Sequence, residues 1–323
     1  MKIGVIGGGA WGTALAQVFA QGGHAVRLWA FEPDVIAEIN AHHTNARFLT
    51  GVTLSSRIEA NQDISWIGET EIVLIVTPAQ HMRGIVRDLP KHGQPLLLCS
   101  KGIEAGSLKL LSEVAAEENA GSPIGVLSGP TFAGEVARGL PTAVTLAMAD
   151  LARAQAMAEQ IALPSFRPYA SDDVIGAEIG GAVKNVLAIA CGVVEGAGLG
   201  QNARAALIAR GFAEMTRFGV ARGAQVETLS GLSGLGDLVL TCSSTASRNF
   251  SLGLGLGQGK RAADLLSDRL TVAEGAFTAP VLREAAAEAG VAMPVVEAVC
   301  ALLDGAEVQA VIGALLARPL TRE

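Results

Sequence analysis

A chain of 323 residues, half of them hydrophobic and 17% charged, has length for two domains with their own cores and is too apolar to be disordered. Its formal net charge is -7, and Lys and Arg nowhere reach a cluster of five, which argues against nucleic acid or an anionic membrane as the main partner. No run of eighteen apolar residues appears, and glycines interrupt the opening "MKIGVIGGG" too early for a signal peptide, so a cytoplasmic protein with no membrane span is expected.

The chain opens with a strand, "KIGVIG", and a helix, "WGTALAQVFAQGG", that stops at glycines. A second strand, "AVRLWA", leads to a helix in "EPDVIAEINAHH", with Pro33 near its first turn. Four more strands are predicted in "EIVLIVTP", "PLLLCS", "IGVLSGP" and "TAVTLAM". These runs are apolar on both faces, as strands of a parallel sheet covered by helices must be. The order predicts an α/β fold with an N-terminal Rossmann-type, doubly wound, mostly parallel sheet.

Between the first strand and first helix lies Gly7-x-Gly9-x-x-Gly12, the dinucleotide fingerprint in its proper setting. Gly7 permits the tight turn, Gly9 the approach of a pyrophosphate, and Gly12 close packing of helix on strand. Ala10 and Trp11 open the helix, whose N-terminal amides suit phosphate. The second strand runs into Phe31, an apolar face for adenine, and Glu32, an acid that suits ribose hydroxyls and repels a 2′-phosphate. Arg47, in the loop that follows, could still reach a phosphate, so the choice between NAD and NADP stays open, with a lean away from strict NADPH. The loop "VTPAQHM" (76–82) is expected to line the ligand crevice.

After about residue 170 the strands are expected to give way to an all-α C-terminal domain. Ser171 has the character of an N-cap for a long helix through "EIGGAVKNVLAIACG". Further helices are predicted at 202–222, 228–240, 262–267, 278–289 and 294–303, with "GLGLGQG" (253–259) as a loop. The expected domains are 1–175, binding the dinucleotide, and 176–323, holding substrate and catalytic groups. The apolar helical half is compatible with a homodimer.

Cys99, Cys191, Cys242 and Cys300 are too far apart in sequence for a zinc knuckle and read as reduced, buried thiols. His42 and His43 are too isolated for a metal site, and no metal is expected. All five histidines lie in the first third, so acid–base chemistry in the second half needs another group. Lysine is scarce, with six in all, and Lys184 stands in an otherwise apolar helix. Helical side chains lean toward the N-terminus, which puts Lys184 over Gly180 and Gly181. That suggests a gap, room for a small substrate or for close approach by the other domain.

The segments "GGGAWGTALA", "SKGIE", "SGPTFAGEVARGLPTA", "KNVLAIACG", "GLGDLVLTC…SRN" and "VAEG", in that order, resemble the NAD(P)-dependent glycerol-3-phosphate dehydrogenases of bacteria from residue 2 to about 310. The resemblance implies hydride transfer between NAD(P)H and dihydroxyacetone phosphate, giving sn-glycerol 3-phosphate for phospholipid synthesis. It implies Lys184 as general acid/base, with Lys101, Gly129, Thr131, Asp237, Ser247, Arg248 and Asn249 around a small phosphorylated three-carbon substrate. It implies cofactor contacts at Gly7, Gly9, Ala10, Trp11, Gly12, Phe31, Lys101, Ala133, Arg248, Val272 and Glu274. Two positions depart from the family: Ala10 stands where serine is usual, and Phe31 where a basic residue is common.

The chemistry agrees with this assignment. A ketone oxygen gains negative charge as hydride arrives, and a nearby ammonium stabilises and protonates it. Arg248 offers a planar fork to a phosphate, between Ser247 and Asn249. Two other readings remain at this point: a 3-hydroxy acid dehydrogenase of the same architecture, and a dinucleotide sensor without turnover. A sensor would not need Lys184, Asp237 and Arg248 together.

Overall fold

A computed structural model of the chain describes residues 1–267 and 273–319. The chain divides into two compact units, Met1–Glu104 with Lys109–Glu178, and Ala105–Leu108 with the chain from Ile179 onward.

The first unit is built on an eight-stranded sheet: β1 (Lys2–Ile6), β2 (Ala25–Trp29), β3 (Ile58–Asn61), β4 (Ile72–Ile75), β5 (Leu96–Leu98), β6 (Ile124–Ser128), β7 (Thr142–Met148) and β8 (Phe166–Ser171). Their spatial order is β3-β2-β1-β4-β5-β6-β7-β8, and every pair is parallel except β6 with β7. Between the strands come α1 (Ala10–Gln21), α2 (Pro33–His42), α3 (Met82–Asp88), α4 (Leu111–Glu118), α5 (Ala133–Ala137) and α6 (Leu151–Ile161). Strand periodicity distributes β4 between two cores. Ile72 and Leu74 join the core with Leu15, Phe19 and Ile39, while Val73 and Ile75 join Met82, Val86 and Val114 on the opposite face. Both faces are buried, so the run has to be apolar throughout.

Two strands beyond those expected from the sequence, β3 and β8, form the two edges of the sheet. Their residues, "IEAN" and "FRPYAS", carry charges, and β8 carries Pro168, which an edge position tolerates. The side chain of Asn40 closes the β3 edge. Its Nδ2 donates to Ala60 O at 2.9 Å, and its Oδ1 accepts from Ala60 N–H at 2.8 Å, as a neighbouring strand would.

The helix α7 (Val174–Gly196) starts in the first unit. Asp173, and not Ser171, accepts from its first turn, at 2.8 Å from Gly176 N, while Ser171 Oγ accepts from Asp173 N. By length and composition α7 could cross a bilayer, but 89% of its apolar window is buried within the chain, as in a core helix. The second unit continues with α8 (Gly200–Ala221), α9 (Val226–Ser230), a π turn at Leu232–Gly236, α10 (Asp237–Cys242), α11 (Arg248–Gly257), α12 (Ala262–Leu265), α13 (Glu274–Glu288), α14 (Pro294–Leu303) and α15 (Val308–Leu316).

The stretch 253–259, expected to be a loop, is for the most part the second half of α11. Its glycines are there for contact. A Cβ on Gly253 would lie 1.9 Å from Ile189 O, and one on Gly257 2.4 Å from Val193 O. Reciprocally, a Cβ on Gly192 would lie 2.1 Å from Phe250 O and one on Gly196 2.2 Å from Leu254 O. Two glycine pairs, each spaced one helical turn, therefore let α7 and α11 meet backbone to backbone. Each helical glycine costs about 1 kcal/mol relative to alanine, which the close packing has to offset.

Glu214 of α8 caps α14. Its carboxylate accepts from Val295 N–H at 2.9 and 3.1 Å. Burial pushes its pKa up to about 7, against the amides of Val295 and Val296.

Two predictions follow from this packing. Gly253→Ala should destabilise the chain by about 1–3 kcal/mol, the usual cost of overpacking. Gly313→Ala, where a Cβ on α15 meets nothing within 4 Å, should instead stabilise it, by up to about 1 kcal/mol. Equal denaturation midpoints for the two variants would refute the helix contact. For Glu214, the folded pKa is raised, so the folded state holds a proton that the unfolded chain has released. Stability is therefore lost as pH rises from the ordinary carboxylate range toward 7. The Tm of Glu214→Gln minus that of the unaltered chain should grow between about pH 5 and pH 8; a constant difference would show that Glu214 does not titrate there.

Candidate active site

In the first unit, β1 delivers Gly7 at the C-terminal end of the sheet. Gly7 has φ +128, and a Cβ there would lie 2.9 Å from Val76 O. A Cβ on Gly12 would lie 1.9 Å from Gly7 O, so α1 rests directly on the turn. Gly9 differs: a Cβ there meets nothing within 4 Å. The chain needs glycine at 7 and 12 for its own packing, while the space over Gly9 is open. Among the described residues no side chain caps α1, whose helical bonds begin with Thr13 N–H to Gly9 O. The amides of Ala10, Trp11 and Gly12 thus form an anion-binding helix start. This turn fits a dinucleotide pyrophosphate.

Asn45 was not singled out in the sequence, and nothing in its local pattern marks it. It is fully buried, and its Nδ2 donates to Gly8 O at 2.9 Å and to Thr13 Oγ1 at 2.8 Å. Its Oδ1 accepts from Phe48 N–H at 3.2 Å, which ties the 45–48 turn to the glycine turn. Phe31 is 72% exposed beyond the end of β2, and Glu32 starts α2 without capping it by its side chain. Arg47 is paired with Asp34 at 3.2 Å.

At the same end of the sheet, the buried hydroxyls of Thr77 and Ser128 have no partner among the described residues. Lys101 follows β5 in a turn that Gly102 makes at φ +147. That turn is held by Ser100 Oγ donating to Thr77 O at 2.5 Å, by Gln80 Nε2 donating to Ile103 O at 2.8 Å, and by an Arg83 fork on Glu104 at 2.9 and 2.8 Å. Gly129 has a packing reason of its own, since a Cβ there would meet Val144 Cα at 2.9 Å. Thr131 donates to Gly129 O at 3.2 Å, and Ala133 begins α5.

In the second unit, Lys184 is buried, with 6% of its surface exposed. Its Nζ donates to Asp237 Oδ1 at 2.6 Å and to Thr241 Oγ1 at 2.9 Å, and Thr241 in turn donates to Asp237 Oδ1 at 3.3 Å. Asp237 is wholly buried. Of the two glycines expected to leave a gap under the lysine, Gly180 has its space filled by a close approach of backbone. A Cβ on Gly180 would lie 2.4 Å from Ser233 O and 2.8 Å from Gly234 Cα, so backbone of the π turn fills that space. The glycine lets the turn close on α7, which brings Asp237, at the start of α10, within reach of Lys184. Thr241, one helical turn after Asp237, completes the group; the i,i+4 spacing was legible, but its importance was not.

Ser247 caps α11, its Oγ accepting from Phe250 N–H at 3.3 Å. Arg248 is exposed in the first turn of α11. Asn249 is buried, and its Oδ1 accepts from Gly275 N–H at 2.9 Å, which fixes the start of α13 and with it Glu274. Its amide nitrogen keeps the donor role. Val272 lies outside the described residues. The four cysteines are free and buried. Burial pushes the thiols of Cys99 and Cys300 up, and a hydrogen bond with Cys191 together with burial does so for Cys242. Among the described residues no cluster could hold a metal ion.

Residues 2–154 match the family model of the NAD-dependent glycerol-3-phosphate dehydrogenase N-terminus, and residues 173–312 that of its C-terminus. The chain belongs to the NAD-dependent glycerol-3-phosphate dehydrogenase family. It is 61% identical, over all of its length and 98% of the relative's, to a protein of Erythrobacter litoralis named glycerol-3-phosphate dehydrogenase (NAD(P)+). A protein of the same name from Caulobacter vibrioides is 57% identical over 100% of this chain and 98% of its own. The crystal structure of glycerol-3-phosphate dehydrogenase from Coxiella burnetii superposes with a TM-score of 0.93 at 38% identity, covering 98% of this chain and 99% of that one. As a member of this dehydrogenase family the chain is an NAD(P)-dependent oxidoreductase, which sets aside the sensor reading.

The open space at Gly9 makes a prediction. Gly9→Val should weaken NAD+ and NADP+ binding at least about tenfold, because its side chain would stand where the pyrophosphate approaches, and should leave the Tm of the ligand-free chain within about a degree. Calorimetric titration and thermal melts test the pair. Undiminished binding would place the pyrophosphate elsewhere.

Proposed function

We propose that this chain reduces dihydroxyacetone phosphate to sn-glycerol 3-phosphate, reversibly, with Lys184 as general acid/base. The carrying observation is the buried Lys184–Asp237–Thr241 group, in a family whose name states the reaction. A bound reduced nicotinamide dinucleotide supplies the hydride. As the ketone oxygen becomes an alkoxide, Lys184 Nζ stabilises it and gives it a proton. In the reverse direction the neutral amine takes the alcohol proton. Asp237 and Thr241 hold Nζ in place by the two hydrogen bonds at 2.6 and 2.9 Å.

Arg248 takes the substrate phosphate. The first turn of a ten-residue helix favours an anion, the guanidinium is exposed to receive it, and Ser247 and Asn249 flank it with a hydroxyl and an amide. Asn249 also reaches Gly275, so the residue that flanks the phosphate group sets the position of Glu274, the expected cofactor contact. In the first unit, the family resemblance assigns Lys101, Gly129 and Thr131 to the substrate and Lys101 and Ala133 to the cofactor. Four unpaired, buried thiols support a cytoplasmic location, where the product feeds phospholipid synthesis.

Lys184→Ala should lower kcat by at least about a hundredfold, the scale of general acid catalysis, with little change in NADH affinity. Arg248→Ala should chiefly raise KM for dihydroxyacetone phosphate, by about tenfold or more, as loss of a charge-assisted contact requires. Steady-state kinetics and NADH titration separate these effects. Wild-type turnover by the Lys184 variant would make the buried pair structural.

A further inference from the structure

The adenosine end of the dinucleotide site carries a charge arrangement that the reaction itself does not explain. In a Rossmann fold the ribose 2′ position lies beyond the C-terminal end of the second strand. Here that region holds Phe31 and Glu32, and Asp34 stands in the first turn of α2. Arg47 reaches it from the following loop, with Nη1 3.2 Å from Asp34 Oδ2 and the guanidinium carbon 5.1 Å from the Phe48 ring centre.

Arg47 is held in this place by its neighbours. Asn45 bonds to Gly8 O in the glycine turn, and Phe48 N–H to Asn45. On the other side, Glu38 accepts from Thr44 Oγ1 at 2.7 Å and Ala46 N–H at 2.8 Å, and these bonds keep its carboxyl below its usual range. The backbone on both sides of Arg47 is thus fixed to the dinucleotide turn and to α2, while its side chain remains exposed enough to move. A guanidinium so placed has the geometry for a 2′-phosphate.

We propose that Asp34 sets the coenzyme preference of this enzyme by holding Arg47. This goes beyond the assigned reaction and rests on the dinucleotide reading of the first unit. A 2′-phosphate must take the guanidinium from Asp34, and it also meets the carboxylate of Glu32. A 2′-hydroxyl has to displace nothing. The Arg47 and Asp34 side chains are 38% and 68% exposed, so their pair is a weak one. Asp34 therefore competes with the phosphate and does not exclude it. The outcome is an enzyme that accepts both coenzymes and leans to NADH.

The test is a double-mutant cycle on the full chain, read by calorimetric dissociation constants for NAD+ and NADP+ and by kcat/KM with NADH and NADPH. Asp34→Asn should shift both ratios toward the phosphorylated coenzyme by about two- to fivefold, the scale of one exposed ion pair. Arg47→Ala should shift them the other way. In the Arg47→Ala background, Asp34→Asn should have no further effect on either ratio. An unmoved ratio in Asp34→Asn overturns the proposal. So does a shift of equal size in both backgrounds, since Asp34 would then act directly on the phosphate. If the unaltered chain binds both dinucleotides yet turns over neither with dihydroxyacetone phosphate, the reaction assignment fails while the binding cycle still decides the role of Asp34.

Discussion

The second unit is organised by the demand that one ammonium group be buried and answered. Taking a lysine out of water costs several kcal/mol, and an unanswered one would lose its proton or unfold the site. Asp237 and Thr241 answer Lys184, and both ride on the same short helix, α10. Removing one partner of such a pair costs about 3–5 kcal/mol, because a lone charge is left behind. A pair of this kind is poor as a source of stability. It is well suited to fixing the position of Nζ, which is what proton transfer to a ketone oxygen requires.

That position is reached through glycine. Gly180 allows the π turn at Leu232–Gly236 to press its backbone onto α7, immediately before Asp237. Gly192 and Gly196 do the same for α11, whose first residues are Arg248 and Asn249. One helix therefore carries Lys184 and, through three glycines on its surface, fixes the distance to the elements that hold Asp237 and Arg248.

This explains which features could be read in advance. The parallel strands were legible because burial on both faces demands unbroken apolar runs. The edge strands β3 and β8 were not, because an edge accepts charges and Pro168. The glycine fingerprint was legible, since Gly7, Gly9 and Gly12 each answer a local need at fixed spacing. The glycines of 253–257 have the same composition as a flexible loop, and only the partner helix distinguishes the two cases. Asn45, Thr241 and the Asn249–Gly275 bond act across 26 to 57 residues of chain or over a single turn whose partner is distant. No local pattern announces such contacts. Lys184 itself was conspicuous, because lysine is scarce here and the segment is otherwise apolar.

Burial also divides the polar groups by task. Among the described residues, Glu178 and Glu214 are buried with no cation in hydrogen-bond contact, and burial pushes both up to about 7. Each is used as a helix cap, Glu178 on Ser112 of α4 and Glu214 on Val295 of α14. Backbone amides tolerate either a charged or a partly protonated acceptor, so a cap survives such a shift. Asp237 has a different partner, the Lys184 Nζ at 2.6 Å. Recognition of any phosphate makes a third demand, for cations that can be reached from water. Arg248 and Arg47 are accordingly the exposed ones, and in both cases it is the backbone that is fixed, by Ser247 and Asn249 in one and by Asn45 in the other. A fixed backbone with an exposed guanidinium allows an incoming phosphate to be met without first breaking a buried ion pair.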